Sequence, residues 1–116
     1  MVYVDGFVAA VPTANREAFR KHAEEAAVLF KKHGALRVIE SWADDVPRGE
    51  VTDFYRSVQC KDDETVLFSW VMWPDKTARE EGNKKVFEDM QTSGMTEMPF
   101  DGKRMIYGGF EAIVDV

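Results

Sequence analysis

One cysteine, two histidines and four prolines are all that this chain of 116 residues holds of those types. The lone thiol, Cys60, excludes an intramolecular disulfide and suits a reducing compartment. The two histidines, His22 and His33, have no cysteine or carboxylate at ligand spacing, so no metal site is expected. No apolar stretch approaches the ~20 residues that a membrane span needs. The opening Met1-Val2-Tyr3-Val4-Asp5 lacks the basic region of a secretory signal. A cytoplasmic protein without a membrane partner is therefore expected. No run of Lys and Arg is longer than two residues, and the formal net charge is −6. That balance opposes binding to a phosphate backbone, so no nucleic-acid partner is expected. A phosphate-cradling glycine loop, a nucleophile elbow and zinc spacing are missing as well, and no cofactor is expected.

What is present is a folding composition, 45% hydrophobic and 31% charged, in a length that fits one domain over residues 1–116. Residues 2–11 (VYVDGFVAAV) read as a strand ended by Pro12, after which Thr13 or Asn15 can cap a helix. Over residues 16–33, Phe19, Ala23, Ala26 and Phe30 recur on one helical face, and Gly34 ends the helix. Strands are expected over 35–43, more weakly over 53–60, and most strongly over 65–73 (TVLFSWVMW). Pro74 and Asp75 open a second helix over 76–90, with Ala78, Gly82, Val86 and Met90 as its stripe. A glycine within that stripe costs about 1 kcal/mol relative to alanine, and would let the backbone approach a sheet closely. Residues 91–102 read as irregular, and 103–116 as the last strand, where Gly108-Gly109 suggests a bulge or a close approach.

The order β-α-β-(β)-β-α-β is the split βαβ pattern of ferredoxin-like α+β folds: four main antiparallel strands with two helices on one face. The other face would alternate with polar residues if it met water, yet both alternate sets of residues 2–11 and of 65–73 are largely apolar. Either a second copy covers that face, making a homodimer, or residues 91–102 do so within the subunit.

Few residues offer chemistry. Asp5 lies within the set Tyr3, Phe7, Ala9 and Val11, and Glu40 lies between Val38 and Trp42. A buried carboxylate must be paired, hydrogen-bonded or protonated, and in a cleft it is a general-base candidate. The alternative is a structural role, with Asp5 taking a bond from Arg37, Arg56 or Arg104. First and last strands are expected to be non-adjacent but to bracket one surface, which would gather Asp5, Arg104 and Tyr107. His22, at the edge of the apolar face of the first helix, is either a base, a haem ligand or a boundary residue. His33 suits a helix C-terminus. Trp42, Trp70 and Trp73 with Phe68, Phe100 and Phe110 either wall a pocket for a planar ligand or form core and interface. Asp53-Phe54-Tyr55-Arg56 presents either a polar fork at a pocket mouth or a strand-edge salt bridge. Cys60 is either a nucleophile or a small residue beside a strand.

Five stretches carry a resemblance: YVDGFV at 3–8, HGALRVIESWADDVP at 33–47, TDF at 52–54, VLFSWVMWPDK at 66–76 and MPFDGKRMIYGGFE at 98–111. On these the chain resembles the YbaA-like family of uncharacterised small proteins, within the dimeric α/β-barrel group. The resemblance implies a ferredoxin-like subunit that pairs sheet to sheet, and no settled activity. Other branches of the group include haem-degrading and quinone-forming monooxygenases and isomerases of small ring compounds, a matter of fold and not of function. Three functions are thus open. One is a dimer that binds or transforms a small hydrophobic or aromatic metabolite between sheet and helices. The others are a non-catalytic interaction module and, by fold analogy, a haem- or oxygen-dependent enzyme.

Overall fold

Apolar runs and helical stripes become four strands and two long helices near the expected positions, except over 53–60 and at the start of the last strand. The computed structural model describes residues 1–116. In chain order it holds β1 Tyr3–Pro12, α1 Arg16–Lys32, β2 Arg37–Trp42, α2 Phe54–Ser57, β3 Glu64–Trp73, α3 Lys76–Thr92 and β4 Ile106–Glu111. Neither Thr13 nor Asn15 caps α1 with its side chain: a 3-10 turn over Thr13–Asn15 leads in, and the Asn15 amide donates to the Pro99 carbonyl at 3.0 Å. Gly34 leaves α1 at φ 105°, a conformation that a side chain disfavours. His33 at the same end meets Asp89 of α3 at 2.6 Å, tying the helices together. Asp75 caps α3 by accepting the Ala78 N–H at 2.7 Å.

The four strands lie in the order β2-β3-β1-β4, every pair antiparallel. The first and last strands are therefore direct neighbours, contrary to the sequence expectation. Each helix carries the chain past one strand position, so β1 and β3 become the central pair and β4 is laid on the free edge of β1.

Both long helices pack on one face. At one end Ala9, Val11 and Leu67 of the sheet bury Phe19 and Ala23 of α1, with Trp42, Phe100 and Met105 against them. At the other end Val71 and Trp73 pack with Ala35, Phe30 and Val38. Full burial of such a side chain contributes roughly 1.5–3 kcal/mol. Gly82 lets α3 descend onto Trp73: a Cβ there would lie 2.2 Å from the indole ring.

Residues 53–60 are not a strand. The Asp53 carboxylate accepts the backbone N–H of Arg56 at 2.8 Å and of Gly49 at 3.1 Å, so local bonding replaces a ladder. Tyr55 and Val58, three apart, then turn to the same side and pack with Cys60 on Val8, Ala10 and Val66. This segment, and not residues 91–102, covers part of the second face. Residues 91–102 instead reach the helix side, where Phe100 meets Phe19 with ring centroids 5.9 Å apart. The last strand is shorter than expected because Asp101 accepts the Lys103 N–H and starts a 3-10 turn over Gly102–Arg104. The ladder across Gly108-Gly109 is unbroken, so there is no bulge, but the close approach is real: a Cβ at Gly109 would sit 2.6 Å from the Tyr3 hydroxyl. Beyond the 43–60 segment the second face stays uncovered, with Phe68 43%, Ile106 46% and Phe110 61% exposed. No helix is long and apolar enough to cross a membrane.

Candidate functional site

Asp5 points toward the helices from the middle of the sheet and is 4% exposed. Its partners are none of the three arginines expected. The indole N–H of Trp73 donates to Oδ2 at 3.0 Å, and the Asn83 amide to the same oxygen at 3.0 Å. Arg79 donates to Oδ1 through Nη2 at 2.8 Å and Nε at 3.0 Å, while its guanidinium lies 5.3 Å from the centre of the Tyr3 ring. Arg79 and Asn83 are four apart on α3, so one helical face delivers both. With both oxygens engaged, Asp5 is a structural anchor and has no acceptor capacity left for a substrate proton.

Arg104 lies elsewhere. It grips Glu64 through both terminal nitrogens, at 2.7 and 2.6 Å, and holds Asp101 at 3.0 Å and the Gln59 carbonyl at 2.8 Å. Glu64 pairs with Pro12, roughly 20 Å along β1 from Asp5 at the rise of a strand. The Arg104 hydrogen bonds hold the Glu64 carboxyl down at about 2. Arg104 covers that carboxylate, so the ion pair and not depth in the core sets the value. Of the expected trio, Asp5 and Tyr107 share one face of adjacent strands, and Arg104 does not join them.

A second carboxylate has a different setting. Register puts four residues at one level across the helix-facing side of the sheet: Tyr107 opposite Phe7, Phe7 opposite Ser69, and Ser69 opposite Glu40. Phe7 and Tyr107 stack at 6.4 Å. This row runs between the two helix-side apolar clusters described above. Burial pushes the Glu40 carboxyl up to about 7, while the Ser69 hydroxyl works the other way. Glu40 nevertheless exposes surface. Both facts fit an edge strand: water reaches the carboxylate along the free side of β2, while the subunit stands close on the other side and denies it full hydration. Ser69 is 4% exposed and was not singled out from the sequence, although it is the one polar residue inside VLFSWVMW.

The remaining candidates sort by face. Trp42 packs on a core cluster, with the Arg16 guanidinium 5.5 Å from its ring centre, and Trp73 is fully buried. Trp70 stands on the uncovered face beside Phe68 at 5.5 Å. Arg56 donates to the carbonyls of Gly49 and Glu50, so it braces its own loop in place of a pocket fork. His22 is half-buried, with no ligand set of His, Cys, Asp or Glu around it. Burial pushes the Cys60 thiol up, the reverse of what a nucleophile needs. A half-open pocket of about 250 Å³ lies where Trp42–Val46 faces Phe54 and Phe68.

The sequence pattern of a family described as a protein of unknown function (DUF1428) matches residues 2–102. The chain belongs to this family. Among its relatives is the uncharacterized protein YbaA of Escherichia coli strain K12, 53% identical over 116 residues and covering 99% of both chains. YbaA of Shigella flexneri is similar to the same degree. Two solved structures share the architecture. Rv0793 of Mycobacterium tuberculosis has a TM-score of 0.51 at 10% identity, over 99% of this chain and 98% of that one. SnoaB of Streptomyces nogalater, a cofactor-independent oxygenase solved in a mutant form, has a TM-score of 0.53 at 16% identity, over 99% and 94%. At such identities the likeness is one of fold, and it bears out the ferredoxin-like α+β reading.

Proposed function

We propose that residues 1–116 act as one cytoplasmic domain that pairs sheet to sheet into a homodimer. Each subunit binds a small hydrophobic or aromatic metabolite between sheet and helices, with Glu40 as the group that exchanges a proton with it. The observation that carries this reading is the pairing of Glu40 with Ser69 in a row that Phe7 and Tyr107 continue across the sheet. A carboxyl near 7 is half-ionised at neutral pH, the condition under which a general base or acid works best. Phe7 and Tyr107 supply a flat apolar wall, and Ser69 a hydroxyl to orient a polar substituent. The oxygen-dependent alternative, which rests on likeness of fold to SnoaB, uses the same carboxylate to deprotonate an aromatic substrate.

The dimer is supported by the apolar, uncovered second face, and light scattering tests it: a monomer mass across the micromolar range removes it. The site is tested by carboxyl-carbon NMR on wild type and on Glu40→Gln, beside a thermal-shift screen of phenolic and other aromatic metabolites. Glu40 should titrate near 7. Glu40→Gln should keep its fold and lose the response to any metabolite that stabilises the wild type. A Glu40 midpoint at the ordinary carboxylate value, with metabolite responses unchanged in Glu40→Gln, overturns the assignment.

A further inference from the structure

The glycines of the sheet and of the helix against it divide into two kinds. Gly82 and Gly109 answer to crowding inside the chain, with a Cβ at 2.2 Å from Trp73 in one case and 2.6 Å from Tyr3 in the other. Gly6 and Gly108 do not. They are directly paired in the β1–β4 ladder, and neither has a positive φ. A Cβ on either would meet only the Phe110 ring, at 3.6 and 3.5 Å, which is ordinary contact. Glycine weakens a strand, and within a strand it marks a place where another group approaches closely. Within this chain only the Phe110 ring comes near, and it leaves room for a methyl at either position. Side by side on the uncovered face, the two glycines form a floor without side chains between Phe68, Ile106 and Phe110, a half-open slot of about 210 Å³.

We infer that this slot seats a second copy of the chain, with an aromatic side chain of that copy's uncovered face resting on Gly6 and Gly108. The inference rests on the sheet-to-sheet reading and adds where the two copies lock. Two arguments choose a second copy over a small ligand. Gly6 pairs with Trp70, and Trp70 with Ile39, so the row that continues from the slot across the sheet has no charged side chain, and the row beside it ends in a cation, Arg37. Two chains of net charge −6 can meet there with no carboxylates opposed, and a two-fold dimer places the same patch on both sides. A ligand pocket, by contrast, needs convergent polar groups to fix orientation, and no side chain on this face of the slot has one, since Tyr107 beside it belongs to the helix-facing row.

The test compares wild type with Gly6→Val, Gly108→Val and Gly6→Ala by sedimentation equilibrium, far-ultraviolet circular dichroism and enhancement of anilinonaphthalene sulfonate fluorescence. The wild type should be a dimer at micromolar concentration. Each valine variant should keep its helix and strand signal while its dimer dissociation constant rises about tenfold or more, with a smaller rise for Gly6→Ala. A monomeric wild type overturns the sheet-to-sheet reading and this inference with it. A dimeric wild type whose valine variants dissociate within about twofold of it leaves that reading standing and removes the slot. Variants that dimerise normally but no longer enhance the dye assign the slot to a small apolar ligand, which also overturns the inference. Should the valine variants not fold, Gly6→Ala decides: a raised constant supports the seat, while an unchanged constant or loss of fold overturns it.

Discussion

Two carboxylates stand inside apolar strands, and their surroundings give them opposite roles. Asp5 is saturated by Trp73, Arg79 and Asn83 and holds α3 on the sheet. Glu40 faces one hydroxyl and water. The difference separates structure from chemistry, because a fully bonded carboxylate gives up an established hydrogen bond before it can accept a proton. Asp5→Asn should therefore destabilise the fold by roughly 2–4 kcal/mol, since Arg79 loses its counter-ion in a half-buried position. Urea denaturation measures this, and a midpoint equal to wild type would show that Asp5 holds nothing in place. Glu40→Gln should act in the other direction. With its folded value raised, Glu40 costs stability only as pH climbs from about 4.5 toward 7. At an accessible position solvent screens most of that cost, so the gain at pH 8 should be no more than about 1 kcal/mol.

At the scale of elements, close packing of α3 on the sheet depends on Gly82. A methyl at this position meets the Trp73 ring at 2.2 and 2.5 Å and the His33 carbonyl at 2.8 Å, and the last of these is backbone and cannot turn aside. Gly82→Ala should lower stability by about 1–3 kcal/mol through overpacking, although alanine favours a helix by about 1 kcal/mol. Gly82→Leu should cost more. Thermal midpoints at or above wild type for either variant would show that α3 does not rest on Trp73. The segment 43–60 teaches the converse lesson. Asp53-Phe54-Tyr55-Arg56 has the apolar density of a strand, but one carboxylate accepting two backbone N–H groups outweighs that tendency and winds a helical turn.

For the whole molecule, the Glu64–Arg104 pair closes the segment after α3 onto the start of β3 and is expected to set the acid limit of stability. The folded Glu64 value lies at about 2, below the ordinary 4.5. Its contribution is therefore complete above pH 4.5 and is lost as the pH falls from 4.5 toward 2, on the order of 3 kcal/mol in all. Glu64→Gln should lower stability at neutral pH and flatten the acid limb, as read from urea midpoints between about pH 2 and 5. An acid limb as steep as that of wild type would assign it to other carboxylates, among them Asp101, which Arg104 also holds below its usual range.

The residues alone determined the α+β class, both long helices with their buried stripes, the strongest strand, the left-handed exit at Gly34 and the need of Gly82 for a close neighbour. These rest on backbone hydrogen bonds and side-chain periods that span a few residues, so they are readable locally. Glu40 was legible for the same reason, as a charge within an apolar run. Tertiary structure alone decided the partners. Asp5 and Arg79 are 74 residues apart, and nothing local distinguishes Arg79 from Arg37, Arg56 or Arg104. Arg79 takes the position because α3 crosses over β1, and the same crossings make β4 the neighbour of β1. Ser69 gained meaning only from the register that sets it opposite Glu40. Which strands become neighbours follows from the edges left free once the helices have crossed, and register then follows from matching apolar faces across each pair, so both are properties of the assembled sheet and not of any one stretch of chain.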